Sequence, residues 1–476
     1  MPLRLRRFRL FQTRRMLLAG LLLLSAACGG SEQSDPRVIG PDLLRQGEVV
    51  RFSAEIPFSW SQQRVGTGPV WSVEPAEAGL ITDAGRFVGY RPGAAAIVAT
   101  ADGKRGRLPV TIVSREGLQG EFAPLVQGVQ TARFNSDLWL HGRFGFTGTW
   151  LGGAIENPPR LPGDTLFAWD LRDPLAPVMS AVLSVDARTV NDVKISADGT
   201  LAVLTHEGSA DGLNGITLLD LTDPLRPTEL IRFTDELETG VHNVWIEENF
   251  IYAVVDGIGN GLRIIDISNL HHPFLDPTPT IAARFVAETS FLHDVLVRDG
   301  LAFLSHWDDG LIILDVGSGI AGGTPVNPVE VGRVQTAGGQ THNAWFWPEA
   351  GYVFVGEEDF ETPGVLHVVD VQDPFQPTEV ATFSIPGETP HNFWLDEERG
   401  ILYAGWYSAG LRAIDVSGEL LGELEKQDRE IAAAVYGTDA GCRTDDGTCA
   451  WAPQLHNGLV FVSDLNTGLW AFRPQF

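Results

Sequence analysis

The sequence lacks the residues and motifs that mark most nucleic-acid-binding proteins and hydrolases. Only three of its 476 residues are cysteine, and 61 acidic residues stand against 34 basic residues, which gives a formal net charge of −27. Because a surface of this sign repels phosphate, we expect no nucleic-acid partner. The sequence contains no Gly-x-Ser-x-Gly, His-Glu-x-x-His, phosphate-loop or dinucleotide-binding motif. It therefore gives no support to a hydrolase.

The first residues are typical of an export signal. An arginine-rich start is followed by an apolar run over residues 16–24, which is too short to span a bilayer, and then by Ser25-Ala26-Ala27-Cys28. Small residues before a cysteine resemble the lipobox of bacterial lipoproteins, although Ser25 stands where that motif usually has leucine. The resemblance implies that residues 1–28 are a lipoprotein signal peptide and that Cys28 is lipidated. An ordinary secretory signal is the alternative.

This leader implies an exported protein that a lipid anchors to a bacterial membrane, facing the periplasm or the cell exterior. The arginine pair Arg14-Arg15 also resembles a twin-arginine export signal. With Cys28 assigned to lipid, only Cys442 and Cys449 remain. An even remainder in an oxidising compartment predicts one local disulfide, with metal binding by the pair as the alternative.

Two stretches of different character follow the leader. Residues 29–37 are mostly small and polar and predict a flexible tether. Residues 38–115 form short alternating stretches separated by glycine-containing turns, which is typical of an antiparallel β-sandwich. The stretch from Trp71 through Gly85-Arg86-Phe87 to the turn at Asp102-Gly103 resembles the bacterial Ig-like domains of group 2. The resemblance implies an Ig-like spacer domain.

Residues 116–476 are built from a repeat. Its marker is a strand that ends in aspartate, and the markers follow one another at intervals of 45 to 55 residues: Asp170, Asp220, Asp266, Asp315, Asp370 and Asp415. Seven copies, each with four predicted strands except the last, indicate an all-β fold, a seven-bladed β-propeller preceded by the small Ig-like sandwich. The strands resemble those of the LVIVD-repeat family of propellers. The last copy has only three strands, and we predict that residues 122–129 supply its fourth.

Histidine opens the first strand of four successive copies. These residues are His242, His293, His342 and His391, and the corresponding residues of the other copies are predicted to be Ser136, Asn191 and Thr448. Because first strands line the channel of a propeller, the four histidines should lie on one arc. Second strands return to the same rim and bring four further polar residues there: His206, His306, Asp256 and Glu357.

Imidazole nitrogens suit copper, iron or zinc, and nearby carboxylates orient metal-bound histidines. We therefore take His242, His293, His342 and His391 as candidate metal ligands, with the second group as their orienting neighbours. The structural alternative is that each histidine only hydrogen-bonds the neighbouring copy. Tryptophan recurs three residues after the histidine position and predicts apolar core between copies: Trp139, Trp245, Trp345, Trp394 and Trp451.

Two functions follow from these features. The first interpretation is a cell-surface or periplasmic lipoprotein whose propeller is a scaffold for binding a protein or a glycan. The second is a copper- or iron-dependent oxidoreductase with the histidine cluster on the propeller axis. The fold alone does not choose between them, because propellers host binding proteins and enzymes alike.

Overall fold

The structure, a computed structural model, describes residues 35–56, 68–151, 159–270, 276–287, 289–438 and 441–476. The predicted signal peptide with Cys28, and most of the predicted tether, lie outside the described residues. In the described ranges every regular element is a β-strand except two short 3-10 helices, Ala76–Ala78 and Leu424–Gln427. No helix among the described residues is long and apolar enough to cross a membrane.

The N-terminal part folds into small sheets around one apolar core. Its strands are β1 Arg37–Ile39, β2 Leu43–Arg45, β3 Val49–Arg51, β4 Ser53–Glu55, β5 Val70–Glu74, β6 Gly79–Ile81, β7 Arg86–Gly89, β8 Gly93–Ala101 and β9 Lys104–Val113. They form sheets in the orders β2-β9-β8-β5, β3-β7-β6 and β1-β4. The rings of Phe52 and Phe87 meet edge to face at 5.9 Å in this core. Asp102 and Gly103, both with positive φ, make the tight turn that joins β8 to β9.

Seven further sheets are formed by the described residues that follow β9. Sheet 7 takes in the early strand β10 Glu121–Val129. Sheet 1 has β11 Phe134–His141, β12 Phe144–Trp150, β13 Thr165–Asp170 and β14 Val178–Ser184; sheet 2 has β15 Val193–Ile195, β16 Leu201–His206, β17 Gly215–Asp220 and β18 Thr228–Phe233; sheet 3 has β19 Val241–Glu247, β20 Phe250–Val255, β21 Gly261–Asp266 and β22 Thr280–Phe285.

The remaining strands complete the series. Sheet 4 has β23 Asp294–Arg298, β24 Leu301–His306, β25 Gly310–Asp315 and β26 Val329–Val334; sheet 5 has β27 Thr341–Trp347, β28 Tyr352–Glu357, β29 Leu366–Asp370 and β30 Thr378–Phe383; sheet 6 has β31 Phe393–Asp396, β32 Ile401–Gly405 and β33 Leu411–Asp415. Between them β34 Gly422–Glu423 joins sheet 5, and β35 Glu430–Ala434 joins sheet 6. Sheet 7 is completed by β36 Ala450–His456, β37 Leu459–Asp464 and β38 Gly468–Gln475.

The burial of each strand follows its place in the sheet. Second strands such as β16 and β28 are buried at every residue, because neighbouring sheets pack against both of their faces. The outer strand β14 alternates between exposed and half-buried residues, because only one of its faces is covered. The aspartate that ends a third strand holds the turn after it: Oδ1 of Asp220 accepts a hydrogen bond from the backbone N–H of Thr222 at 2.7 Å.

The sheets follow one another around a common axis. The first strand of each sheet contacts the first strand of the next sheet, from β11 through β15, β19, β23, β27 and β31 to β36. β36 in turn contacts β11, so the last sheet meets the first. In sheet 7, β10 pairs antiparallel with β38, with Phe122 opposite Pro474 and Val129 opposite Gly468. The prediction that residues 122–129 supply this fourth strand is confirmed.

The N-terminal sheets pack directly against the segment that connects β33 to β35. Val88 and Tyr90 form a small apolar cluster with Leu421. The guanidinium of Arg429 donates a hydrogen bond to the carbonyl oxygen of Gly47 at 2.9 Å. These contacts give the two parts of the chain a defined junction.

Candidate functional site

Two positions of each first strand face the axis at opposite ends. The position that opens the strand defines what we call the histidine end, where the residues in sheets 2 to 7 are Asn191, His242, His293, His342, His391 and Trp451. The position three residues later defines the tryptophan end, with Trp139, Lys194, Trp245, Leu296, Trp345 and Trp394. The same strands therefore build two different surfaces.

The predicted assignment for the last repeat is wrong by three residues. Pairing of β36 with β37 sets Ala450 opposite Asp464, as pairing of β19 with β20 sets Val241 opposite Val255. Trp451, not Thr448, therefore occupies the position of the histidines. Its carbonyl oxygen accepts a hydrogen bond from Nδ1 of His391 at 2.9 Å, just as that of His342 does from His293 at 3.0 Å. Trp451 was predicted to be the recurring tryptophan of this copy, and it stands at a different register.

The recurring tryptophans belong to the apolar clusters between adjacent copies, as predicted, and some of them also meet across the axis. The ring of Trp139 lies 5.5 Å from that of Trp245 and 5.8 Å from that of Trp394. Trp139 belongs to sheet 1 and the other two belong to sheets 3 and 6, none of which is adjacent to it. Trp345 and Trp394 are also in contact, at 4.8 Å. Together the tryptophan side chains leave a space of only about 50 Å³ around the axis at this end.

A buried cation completes the tryptophan end. The ammonium group of Lys194 lies 2.9 Å from the carboxylate of Asp137, forms a second ion pair with Asp192, and stands over the Trp139 ring at 5.1 Å. Burial alone lowers the pKa of Lys194, but the two carboxylates raise it above its ordinary value. Because its charge is matched, Lys194 stays protonated in the interior.

The histidine end opens into a cavity of about 470 Å³. Its wall combines the histidines with the aromatic side chains of Trp150, Phe360, Tyr407 and Trp451 and with Glu358 and Arg443. Successive imidazole rings from His242 to His391 are 4.4, 4.3 and 4.4 Å apart, and the ring of His391 lies 4.1 Å from that of Trp451. The predicted arc of histidines is therefore present. A cavity of this size and mixed lining suits a small ligand or one sugar unit.

Hydrogen bonds determine which nitrogen the imidazoles offer to the cavity. Nδ1 of His293 and Nδ1 of His391 each donate to a backbone carbonyl of the next sheet. Because a carbonyl only accepts, the proton is on Nδ1 and the lone pair is on Nε2. Among the described residues Nε2 of these two rings has no hydrogen-bond partner. The metal-ligand interpretation and the structural interpretation of these two histidines are therefore compatible. Nδ1 hydrogen-bonds the adjacent sheet, and Nε2 stays available to a ligand.

His242 differs in charge from the other three histidines. Burial lowers the pKa of His242, but the Glu207 carboxylate, 2.9 Å from Nδ1, and then Asp256 raise it to about 9. Burial raises the pKa of Asp256 to about 7, with the charge of Glu207 adding to the effect. Burial followed by the neighbouring imidazoles holds the pKa of His293 and His342 well below the ordinary value. Burial also lowers the pKa of His391 to about 4.

The candidate ligands divide into two groups. In the part of the chain that the structure describes, ligand atoms within 4.8 Å of one another occur in the set His293, His342 and Glu358 and in the set Glu207, His242 and Asp256. His391 belongs to neither set. The four predicted histidines therefore share one cavity but are not gathered around one point.

The predicted orienting neighbours have other partners, apart from Asp256. Nε2 of His206 lies 2.8 Å from Oγ1 of Thr217 in the same sheet. Nδ1 of His306 lies 3.0 Å from a carboxylate oxygen of Asp309. Glu357 accepts a hydrogen bond from Nε2 of His367 at 3.3 Å, away from the candidate ligands.

Glu358, which the sequence did not single out, is the carboxylate that reaches the cavity from sheet 5. It follows the last residue of β28, and successive residues of an extended chain point to opposite sides. Its oxygen Oε2 lies 3.7 Å from Nε2 of His342, and its Oε1 accepts a hydrogen bond from the Tyr407 hydroxyl. Burial raises the pKa of Glu358 to about 7. In the sequence, two adjacent glutamates, Glu357 and Glu358, indicated a carboxylate near this rim. Only the position at which β28 ends shows which of the two faces the cavity.

A disulfide-bonded loop lies at the mouth of the cavity. Cys442 and Cys449 are joined by a disulfide with their Cα atoms 4.9 Å apart. Cys442 and Arg443 both line the cavity, and the guanidinium of Arg443 stands over the Trp150 ring at 4.7 Å. The disulfide thus restrains the part of the wall that carries Arg443.

Comparisons with known proteins agree with this architecture. A family model described as the LVIVD repeat matches residues 240–277 and 292–336. No curated protein matches the chain. Among solved structures, the β-propeller domain of Cps50 (Swd1) from Myceliophteria thermophila matches with a TM-score of 0.50 and 13% identity, covering 74% of this chain and 100% of that domain. At that identity the likeness concerns the fold alone. The chain is a β-propeller repeat protein that carries LVIVD repeats.

Proposed function

We propose that the chain is an exported, lipid-anchored binding protein whose seven-bladed propeller takes a sugar unit of a glycan into the cavity at the histidine end. The Ig-like domain packs on the segment between β33 and β35 and sets the propeller away from the membrane. A β-propeller repeat fold supports a role as an interaction scaffold. The leader sequence supports export and anchoring through Cys28.

The observation that carries the proposal is the make-up of the cavity. Trp150, Phe360 and Tyr407 offer aromatic rings, and the imidazoles, Glu358 and Arg443 offer hydrogen-bonding atoms in the same space of about 470 Å³. A sugar ring has apolar C–H faces and a rim of hydroxyl groups, so it needs both kinds of surface. The tryptophan end is nearly filled, so a ligand enters from one side.

The test is a glycan array followed by calorimetry on the mature protein, with side-chain variants of the cavity wall. Phe360 is 73% exposed, so Phe360→Ala is expected to leave the fold intact and to weaken glycan binding by about tenfold or more. Phe375→Ala removes an aromatic ring, 52% exposed, that does not line the cavity, and is expected to bind like the wild type. Absence of glycan binding by the wild-type protein, or equal loss in both variants, would contradict the proposal.

The anchor has a separate test. A Cys28→Ser form is expected in the soluble fraction, while the wild-type protein is expected to sediment with membranes and to carry lipid by mass analysis. Wild-type protein that is free of lipid would remove the anchor from the proposal and leave the cavity argument in place.

A metal-dependent oxidoreductase is the second candidate. The observation in its favour is the presence of uncharged imidazoles with lone pairs in a cavity that a substrate can enter. Such an activity is expected to disappear on chelation and to return with one particular metal. An oxidase screen in which copper-loaded, iron-loaded and chelated protein behave alike would exclude it.

A further inference from the structure

We propose that His293, His342 and Glu358 form a binding site for one divalent first-row transition-metal ion at the wall of the axial cavity. His342 lies on the first strand of sheet 5, His293 immediately precedes the first strand of sheet 4, and Glu358 immediately follows the second strand of sheet 5. The site goes beyond glycan binding and holds whether or not a sugar enters the cavity.

The distances suit a metal ion after small side-chain rotations. One atom from each of the three residues lies within 4.8 Å of the other two. Metal–nitrogen and metal–oxygen bonds of about 2.0–2.2 Å in a tetrahedral site place ligand atoms about 3.4 Å apart. Each ligand atom therefore has to move by about 1 Å or less. Rotation of the imidazole and carboxylate side chains achieves this without backbone movement.

Surrounding hydrogen bonds already orient two of the ligands. The bond from Nδ1 of His293 to the carbonyl oxygen of His342 leaves the Nε2 lone pair of His293 for an ion. The Tyr407 hydroxyl donates to Glu358 and holds that carboxylate in the cavity. A histidine that donates through its other nitrogen, and a carboxylate that is itself hydrogen-bonded, are the usual supports of metal ligands.

His342 provides the second, independent observation. Its side chain is 4% exposed, and its Nδ1 is buried without a hydrogen-bond partner among the described residues. Oδ1 of the adjacent Asn343 is buried and unpartnered as well. A proton on Nδ1 lets these two groups satisfy one another and leaves the lone pair on Nε2, 3.7 Å from Oε2 of Glu358, for an ion. An ion on Nε2 of His342 places the proton on Nδ1, where Asn343 Oδ1 is the nearby acceptor.

The ligand set defines the class of ion. Two imidazole nitrogens and one carboxylate oxygen are the donors of catalytic zinc sites and of ferrous sites with open coordination positions. Here the open positions face the cavity. His391, which hydrogen-bonds Trp451 and belongs to neither ligand group, stays outside the coordination sphere.

The test is metal binding by the chelator-stripped mature protein, measured by competition with a chromophoric chelator for Zn²⁺ and by the visible spectrum of the Co²⁺ form. One ion per chain is expected for the wild type. His293→Asn, His342→Asn and Glu358→Gln are each expected to weaken Zn²⁺ binding by at least about 100-fold, and Tyr407→Phe by about 10- to 100-fold. Thermal unfolding of each variant shows whether it is folded.

His391→Asn and His456→Asn are the matched controls. His391 stands on the same arc of histidines, and His456 is a half-buried histidine on β36 with its Nε2 2.8 Å from the Gly142 carbonyl oxygen. Both are expected to bind one Zn²⁺ like the wild type. Loss of the ion in His391→Asn as large as in His342→Asn would replace this site with the four-histidine centre. Absence of stoichiometric Zn²⁺ and Co²⁺ binding by the wild type would overturn the proposal and leave glycan binding to be judged on its own experiment.

Discussion

The two ends of the propeller axis are built by the same first strands, yet they leave very different amounts of space, about 50 Å³ at the tryptophan end and about 470 Å³ at the histidine end. At the tryptophan end Lys194 is matched by Asp137 and Asp192, and tryptophan rings fill the centre. At the histidine end the imidazoles, Glu358 and Arg443 line an open cavity. A ligand needs space as well as polar groups, so the end with the larger cavity is the end where a partner from outside is expected. One end stabilises the ring, and the other is available for binding.

The largest expected effect is at the tryptophan end. Lys194→Met leaves Asp137 and Asp192 buried without their cation, and should lower the free energy of unfolding by about 3–5 kcal/mol. Lys426→Met removes an exposed lysine paired with Glu423 and should cost less than about 1 kcal/mol. Denaturant unfolding of both variants measures these losses of unfolding free energy. Equal losses would mean that the tryptophan end is not the stabilising end.

Acidic pH is expected to lower the stability of the fold through the buried side chain of His206. Burial, with Arg232 nearby, lowers the pKa of His206 to about 4. The unfolded histidine takes up a proton near pH 6.5 and the folded one does not, so the free energy of unfolding falls as the pH drops from about 6.5 to 4. The loss amounts to about 3 kcal/mol at most. His206→Asn should flatten this pH dependence in unfolding experiments at several pH values; an unchanged slope would remove His206 from the explanation.

Removing the disulfide should affect both stability and binding. A Cys442→Ser/Cys449→Ser variant frees a short loop in the unfolded chain and should lose about 2 kcal/mol. Because the loop carries Arg443 at the mouth of the cavity, glycan affinity should fall as well. Calorimetry on the double variant, with the reduced wild type alongside, measures both. Loss of stability with full glycan affinity would show that the loop is not part of the binding end.

The smallest expected effect comes from a single histidine of the arc. His391→Asn removes the hydrogen bond from Nδ1 to the Trp451 carbonyl oxygen and should cost about 1 kcal/mol of unfolding free energy. Denaturant unfolding of His391→Asn and Lys194→Met side by side compares the loss of unfolding free energy at the two ends. A loss as large as that of Lys194→Met would mean that the histidine end also carries the stability of the ring.

Much of the architecture could be predicted from the sequence because it is built from a repeated unit. Aspartates at regular intervals, and four apolar stretches in each copy, predict a propeller, since no copy can bury both faces of its sheet without neighbours. The deficit of one strand in the last copy predicts that β10 joins β38, because an unpaired sheet edge is unfavourable. The period of the histidines likewise predicts that they line one arc of the axis.

Other features depend on contacts between residues that are far apart in the sequence. Trp451 stands where Thr448 was expected because pairing with β37 sets the register of β36. Glu358 rather than Glu357 enters the cavity because β28 ends between them. The tryptophans meet across the axis because the ring brings non-adjacent sheets together at its centre. The sequence alone determined the repeat and the set of side chains near the axis, since period and polarity are local properties. Only the tertiary structure decided which atoms face one another, because strand register and the closing of the ring are set by pairing between distant strands.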